Sequence, residues 1–154
     1  MSRFSFMLVI VTGNHLGAIV HAISYGNCER INEYHAKLTE LMDKLHAQAP
    51  TRVADVIGKQ LYSRWNHHGI YEIREPDDIK TVYVGKTRVA RDGVAQRIWD
   101  HAKQISHLVS TLEITRQSFA EYQVRSIEIQ DARVRGLAEC FGIALFDPKG
   151  NRVA

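Results

Sequence analysis

Two spacings of apolar residues divide the chain. From Asn32 onward Tyr34, Leu38, Leu41, Met42 and Leu45 recur at helical intervals, which predicts an amphipathic helix that stops before Pro50. Thr51 reads as the N-cap of a second helix, with Val53, Val56, Ile57, Gln60, Leu61 and Arg64 forming one face and its border. Ahead of both, the apolar run over residues 4–11 reads as a strand or buried segment, and residues 16–23 as a short buried helix. At Gly69 the period changes. Ile70-Tyr71-Glu72-Ile73 and Thr81-Val82-Tyr83-Val84 are short β-rich runs on either side of Pro76-Asp77-Asp78, which predicts an antiparallel hairpin. Asp92 is expected to cap a helix running to about His107, residues 119–129 to form a third strand, and residues 131–144 a further helix before the closing turn Asp147-Pro148-Lys149-Gly150. The predicted fold is α/β of the α+β kind. A small three-stranded antiparallel sheet is flanked by helices, with a domain over 67–154 and a mostly helical N-terminal extension over 1–66 that serves recognition, dimerisation or packing.

Composition changes this picture little. The chain has 154 residues, 45% of them apolar and 24% charged, enough for one packed core without a stabilising metal or disulfide. Cys28 and Cys140 are the only cysteines and neither belongs to a CxxC or Cys/His cluster, which argues against structural zinc and for a reducing, cytoplasmic setting. No segment approaches the roughly 20 apolar residues that span a bilayer. The run over residues 4–11 is a poor signal segment, since Gly13-Asn14-His15 follows it.

Charge points more specifically. The formal net charge is +3, and the excess gathers locally, with Lys80, Lys86, Arg88, Arg91, Arg97 and Lys103 set against Asp92 and Asp100. Such a stretch is either a solvated face or a surface for a polyanion.

Gly69-Ile70-Tyr71, eleven residues, and then Tyr83-Val84-Gly85-Lys86-Thr87 resemble the two halves of the GIY-YIG signature, with Val in place of Ile. Downstream, Arg97 and His101 lie one turn apart on the predicted helix, Glu139 falls on the later helix, and Asn151 follows Pro148. This ordered set is similar to the arrangement in GIY-YIG nucleases and spans about residues 67–154. The resemblance implies a divalent-metal-dependent endonuclease with Tyr71, Tyr83, Arg97, His101, Glu139 and Asn151 as catalytic residues. It implies Mg²⁺ or Mn²⁺ on Glu139, a hard cation that one carboxylate, waters and phosphate oxygens can satisfy. Tyr71 would help deprotonate the attacking water with Tyr83 or His101 assisting, Arg97 would grip the scissile phosphate, and Asn151 would orient the substrate or the metal shell.

Each residue also has a plainer reading. On a helical wheel His101 falls in the middle of the Val94, Ile98, Ile105, Leu108 face, where a core histidine is common, and Arg97 lies at its edge, where an ion pair would serve. Glu139 is placed for a surface pair with Arg135, the tyrosines for strand packing, and Asn151 for turn chemistry. Lys86, Arg88, Arg91, Lys103 and His68 are the candidate nucleic-acid contacts; His67 and His68 lie outside the family pattern.

With 66 residues before the module and three after Asn151, the chain looks more like the restriction-enzyme branch, whose partner would be double-stranded DNA cut by a homodimer. A structure-specific or nonspecific nuclease of phage, defence or toxin origin is the rival within the same chemistry. A nucleic-acid-binding module without turnover is the rival outside it.

Overall fold

The computed structural model describes residues 29–58, 63–88, 93–103 and 107–151. The segments read at 4–11 and 16–23 lie outside these residues, as do Gln60, Leu61, Arg91, Asp92 and Ile105. The chain divides into two compact units, Met1–His35 and Ala36–Ala154, and the second carries the sheet.

Helix α1 (Glu29–His46) ends ahead of Pro50 as its spacing predicts, with Met42 and Leu45 buried. Next come β1 (Thr51–Arg52), the single turn α2 (Val53–Val56), β2 (Gly69–Arg74) and β3 (Thr81–Lys86). Then follow α3 (Val94–Ala102), α4 (Leu108–Thr111), α5 (Arg116–Phe119), β4 (Gln123–Glu128) and α6 (Ala132–Phe146), before a 3₁₀ turn at Lys149–Asn151. The sheet is antiparallel and has four strands in the order β1-β4-β2-β3, one more than the three expected. The extra strand is short: Thr51 and Arg52 pair with Val124 and Gln123. Two residues carry no periodicity, so only the partner reveals them as a strand.

Other boundaries differ for a common reason. Thr51 is a strand residue, not an N-cap; α2 starts from Arg52, and its first amides donate to the carbonyls of Tyr122 and Ala120. Gly93 precedes α3, whose first two amides, Val94 and Ala95, donate to the carbonyls of His67 and Trp65. Main chain distant in sequence satisfies these helix ends, and no side-chain cap marks them. The run at 119–129 splits, because Thr115 and Ser118 form a reciprocal capping box that winds Arg116–Phe119 into a turn before β4 begins. At α6 the cap is local and the reading holds: Asp131 accepts from the amides of Arg133 and Val134.

β2 is buried along its whole length. Alternation sends Tyr71 and Ile73 to one face, where they join Val94, Ile98, Leu108, Phe119 and Val124 in a core under α3, α4 and α5. Ile70 goes to the other face and packs with Met42, Leu45, Ile129 and Ala138 beneath α1 and α6. Each fully buried aliphatic or aromatic side chain contributes about 1.5–3 kcal/mol.

Glu72, beside Ile70 on the second face, is fully buried and needs partners there. It accepts from Thr81 Oγ1 at 3.1 Å and from Arg125 Nη1 at 3.4 Å, with Arg74 Nη1 at 3.7 Å. Arg74 also donates to the carbonyls of Asp78 and Ile79, and Arg125 to the Asp78 carboxylate at 2.5 Å, so two guanidiniums balance two carboxylates at the hairpin end.

Gly69 is required by packing: a Cβ there would stand 1.9 Å from the carbonyl oxygen of Ile127 on β4. Gly69→Ala is expected to destabilise the protein by about 2–3 kcal/mol through overpacking. Gly136→Ala in α6, where a Cβ would meet only Lys86 Nζ at 3.8 Å, is expected to be stabilising by about 0.5–1 kcal/mol. Urea midpoints of the two variants against the unaltered protein check both signs.

Candidate active site

The register of the central hairpin gathers the tyrosines. Tyr71 lies opposite Gly85 and Ile73 opposite Tyr83, so the two phenols are diagonal neighbours on the α3 face of the sheet, ring centroids 6.1 Å apart. Gly85 makes this possible. A Cβ at that position would stand 2.6 Å from Tyr71 Oη and 2.7 Å from Tyr83 Cε1, so a side chain there would expel the phenol.

Helix α3 supplies Arg97 and His101, four residues apart on its inner side. His101 is buried, its ring edge-on to Tyr83 at 5.0 Å, and its Nε2 is 2.9 Å from Tyr71 Oη. Burial, with Arg97 adding to it, lowers the His101 pKa to about 3. The imidazole is therefore neutral at ordinary pH, and in its Nδ1–H tautomer Nε2 accepts the Tyr71 hydroxyl proton. Burial raises the Tyr71 phenol well above its usual value; Tyr83 adds to this, and Arg97 works against it. Tyr83 is only partly buried; burial and the charge of Glu139 raise it, while Arg97 opposes them. At neutral pH both phenols and the imidazole are uncharged.

Arg97 is the one cation among these groups. Desolvation disfavours its charge, but Tyr71, Tyr83 and Asp100 more than compensate and raise its pKa. Asp100 Oδ2 sits 3.3 Å from Nη1, while Nε is buried and has no hydrogen-bond partner among the described residues. Such a donor costs about 1–3 kcal/mol unless an acceptor arrives.

Glu139 lies on α6, across the sheet from the tyrosines but near the edge strand β3. There Lys86 Nζ donates to its Oε2 at 2.5 Å, so its partner is Lys86 and not Arg135. Arg135 is buried and donates to the carbonyls of Ile129 and Gln130. Among the described residues no three His, Cys, Asp or Glu side chains gather to cage a metal.

Asn151 stands at the same edge, but both ends of its amide are committed. Val84 N donates to its Oδ1 and its Nδ2 donates to Val84 O, each at 2.7 Å. It acts as one more pairing residue for β3 and positions Tyr83 and Gly85 from the backbone between them. The candidate nucleic-acid contacts differ in setting. Arg88 and Lys103 are exposed, the latter with its ammonium 5.0 Å from the Trp99 ring centroid, and Lys86 is engaged with Glu139. His68 packs at 3.4 Å from Thr87 Oγ1, and Arg91 is outside the described residues.

Sequence reasoning passed over two groups that shape the site. Thr87, buried, ties the hairpin's open end by accepting from the amide of Gly69. Asp100 holds Arg97, and its spacing of three from Arg97 on one helix was the available signal. A cleft of about 270 Å³ among Gln48, Thr51, Arg64, Trp65, His67 and Ser126 is lined by none of the six candidate residues. No helix among the described residues is long and apolar enough to cross a membrane. No family model matches the chain, and no curated protein matches it.

The neutral Tyr71–His101 pair sets a pH window for stability. His101 has a folded pKa below its unfolded value, so its contribution is present above about pH 6.5 and is lost as pH falls towards about 3. Tyr71 has a raised folded pKa, so its contribution is present below about pH 10 and is lost above it. His101→Gln keeps an acceptor for the phenol and removes the titration. Urea midpoints from pH 7 to pH 4 should fall less steeply for this variant, by up to about 1.4 kcal/mol per pH unit. Parallel acid limbs would show that His101 is not held neutral.

Proposed function

We propose that this chain is a divalent-metal-dependent endonuclease of the GIY-YIG kind, acting on double-stranded DNA. The observation that carries the reading is the placing of Arg97, whose buried Nε has no partner among the described residues, beside two phenols and a neutral imidazole, at an edge that also bears a carboxylate. A structural ion pair accounts for Arg97 poorly, because Asp100 meets only Nη1. A phosphate would satisfy the remaining donors in the forked geometry guanidinium favours.

The chemistry follows from the charges. Arg97 binds and neutralises the phosphate. Tyr83 is the phenol nearer the surface, so the attacking water meets it, while Tyr71 lies behind it under α3, bonded to His101. The proton then has a defined course. It passes from water to Tyr83 oxygen as the Tyr83 proton moves to Tyr71 and the Tyr71 proton to His101 Nε2, so that one hydroxide equivalent attacks and one imidazolium forms. Resting His101 is a weak base, partly because of the positive charge on Arg97. A bound phosphate offsets that charge and raises the basicity of the imidazole when it is needed. Glu139 would hold a Mg²⁺ or Mn²⁺ ion, which supplies charge stabilisation for the leaving oxygen. Asn151 fixes the strand that carries Tyr83. The restriction-type assignment adds a homodimer with two such sites.

Supercoiled plasmid incubated with the protein and Mg²⁺ should be nicked and linearised, and chelation should stop the reaction. Arg97→Ala and Glu139→Ala should each lower the rate by about a hundredfold or more, with native circular dichroism. Discrete fragments would indicate site-specific cutting, and a smear a nonspecific nuclease. Intact plasmid, linear duplex, branched DNA and RNA after incubation with the unaltered protein would sink the enzyme reading and leave a binding module.

A further inference from the structure

The Lys86–Glu139 contact is built into the fold. Lys86 follows Gly85, and strand alternation turns it to the α6 side of β3, away from the phenols. Its ammonium lies over α6 where Gly136 presents no side chain: a Cβ there would meet Lys86 Nζ at 3.8 Å and no other atom within contact distance. One turn further along α6, Glu139 Oε2 accepts from it at 2.5 Å. The elements that carry the two side chains are locked together by packing, since Gly142 of α6 lies against Val84 of β3. Both side chains are partly shielded from water, at 38% and 20% exposure, which strengthens the attraction over that of a surface pair.

An ammonium on one carboxylate oxygen weakens the binding of a divalent cation to the other, because their mutual repulsion in a partly desolvated site is several times what it is in water. We propose that Lys86 is a resident counter-cation of Glu139 that competes with a divalent metal and that metal binding displaces. The inference rests on the reading of Glu139 as the metal carboxylate. Displaced Lys86 needs a new anion, and a backbone phosphate of the nucleic acid is the class that supplies one. Metal loading is thereby coupled to substrate: the free protein binds metal weakly, and the nucleic acid tightens it by drawing Lys86 away. By linkage, the metal tightens the nucleic acid to the same degree.

Mn²⁺ titrated into the DNA-free protein, followed by calorimetry or by the loss of the free-ion EPR signal, tests this without any turnover. Lys86→Met should bind Mn²⁺ roughly fivefold or more tightly than the unaltered protein. Lys86→Arg, which keeps a cation, should stay close to the unaltered protein. Glu139→Gln should abolish the gain in the Lys86→Met background. If Lys86→Met loses its native circular dichroism, Lys86→Gln takes its place. A folded Lys86→Met protein that binds Mn²⁺ no more tightly, while Glu139→Gln still weakens binding, overturns the competition and leaves the metal site standing. If Glu139→Gln binds Mn²⁺ as the unaltered protein does, the metal site and the competition fall together.

Discussion

Two adjacent residues on the central strand impose the main constraint on this fold. Tyr71 and Glu72 are both fully buried, and strand alternation sends them to opposite faces of the sheet. Each carries a polar group that must find a partner in the dark. The phenol finds His101 on α3; the carboxylate finds Thr81, Arg125 and Arg74 on the strands beside it. A slip of one residue would exchange them. It would place a carboxylate under the neutral imidazole and a phenol among two guanidiniums, and a buried charge stripped of its partner costs about 3–5 kcal/mol. The register that aligns Tyr71 with Gly85 and Ser126 is therefore enforced from both faces. The same register places Tyr83 diagonally from Tyr71.

The two faces also divide the electrostatics. On the α1 and α6 side, Glu72, Asp78, Arg74 and Arg125 cancel one another in a closed network. On the α3 side the phenols and the imidazole are neutral, and Arg97 is paired with Asp100 through one of its nitrogens. The first set joins two guanidiniums to two carboxylates. The second places a single ion pair, Arg97 with Asp100, beside three neutral rings, and that difference separates a stabilising network from a candidate reactive one, although both are buried polar clusters on the same sheet.

What the sequence makes legible follows the range of the interactions that decide each feature. The hairpin shows itself because its turn residues and alternation are local, and α6 because Asp131 caps it from one position away. β1 is hidden, since Thr51 and Arg52 become a strand only against Val124 and Gln123. The start of α3 is hidden for the same reason: the carbonyls of Trp65 and His67 cap it. Residues 119–129 mislead because Ser118, rather than the usual Glu or Gln, completes the capping box that starts a turn there. In the site, the helical wheel turns His101 inward and sets Arg97 at the border of the apolar face, as the structure has them, and strand alternation brings the phenols near each other. No local signal shows that Asn151 is bonded to the main chain of Val84, or that Glu139 pairs with Lys86 in preference to Arg135.

The position of the site at an edge strand explains why its groups approach from both faces. Among the described residues β3 has β2 on one side only, and Asn151 meets the outward main-chain groups of Val84, which blunts the edge without covering it with another strand. Tyr83 on one face of β3 and Lys86 on the other are three residues apart, and Glu139 is close enough for its charge to be felt at the Tyr83 phenol. On a central strand the sheet itself would separate these groups. On the proposed reading, an anion held by Arg97 and a cation held by Glu139 would meet around the rim of a single strand. The phosphate would supply a second partner for Arg97, and the metal, once Lys86 has moved to the polyanion, a new one for Glu139. The edge strand would thus let one binding event draw on both faces of the sheet.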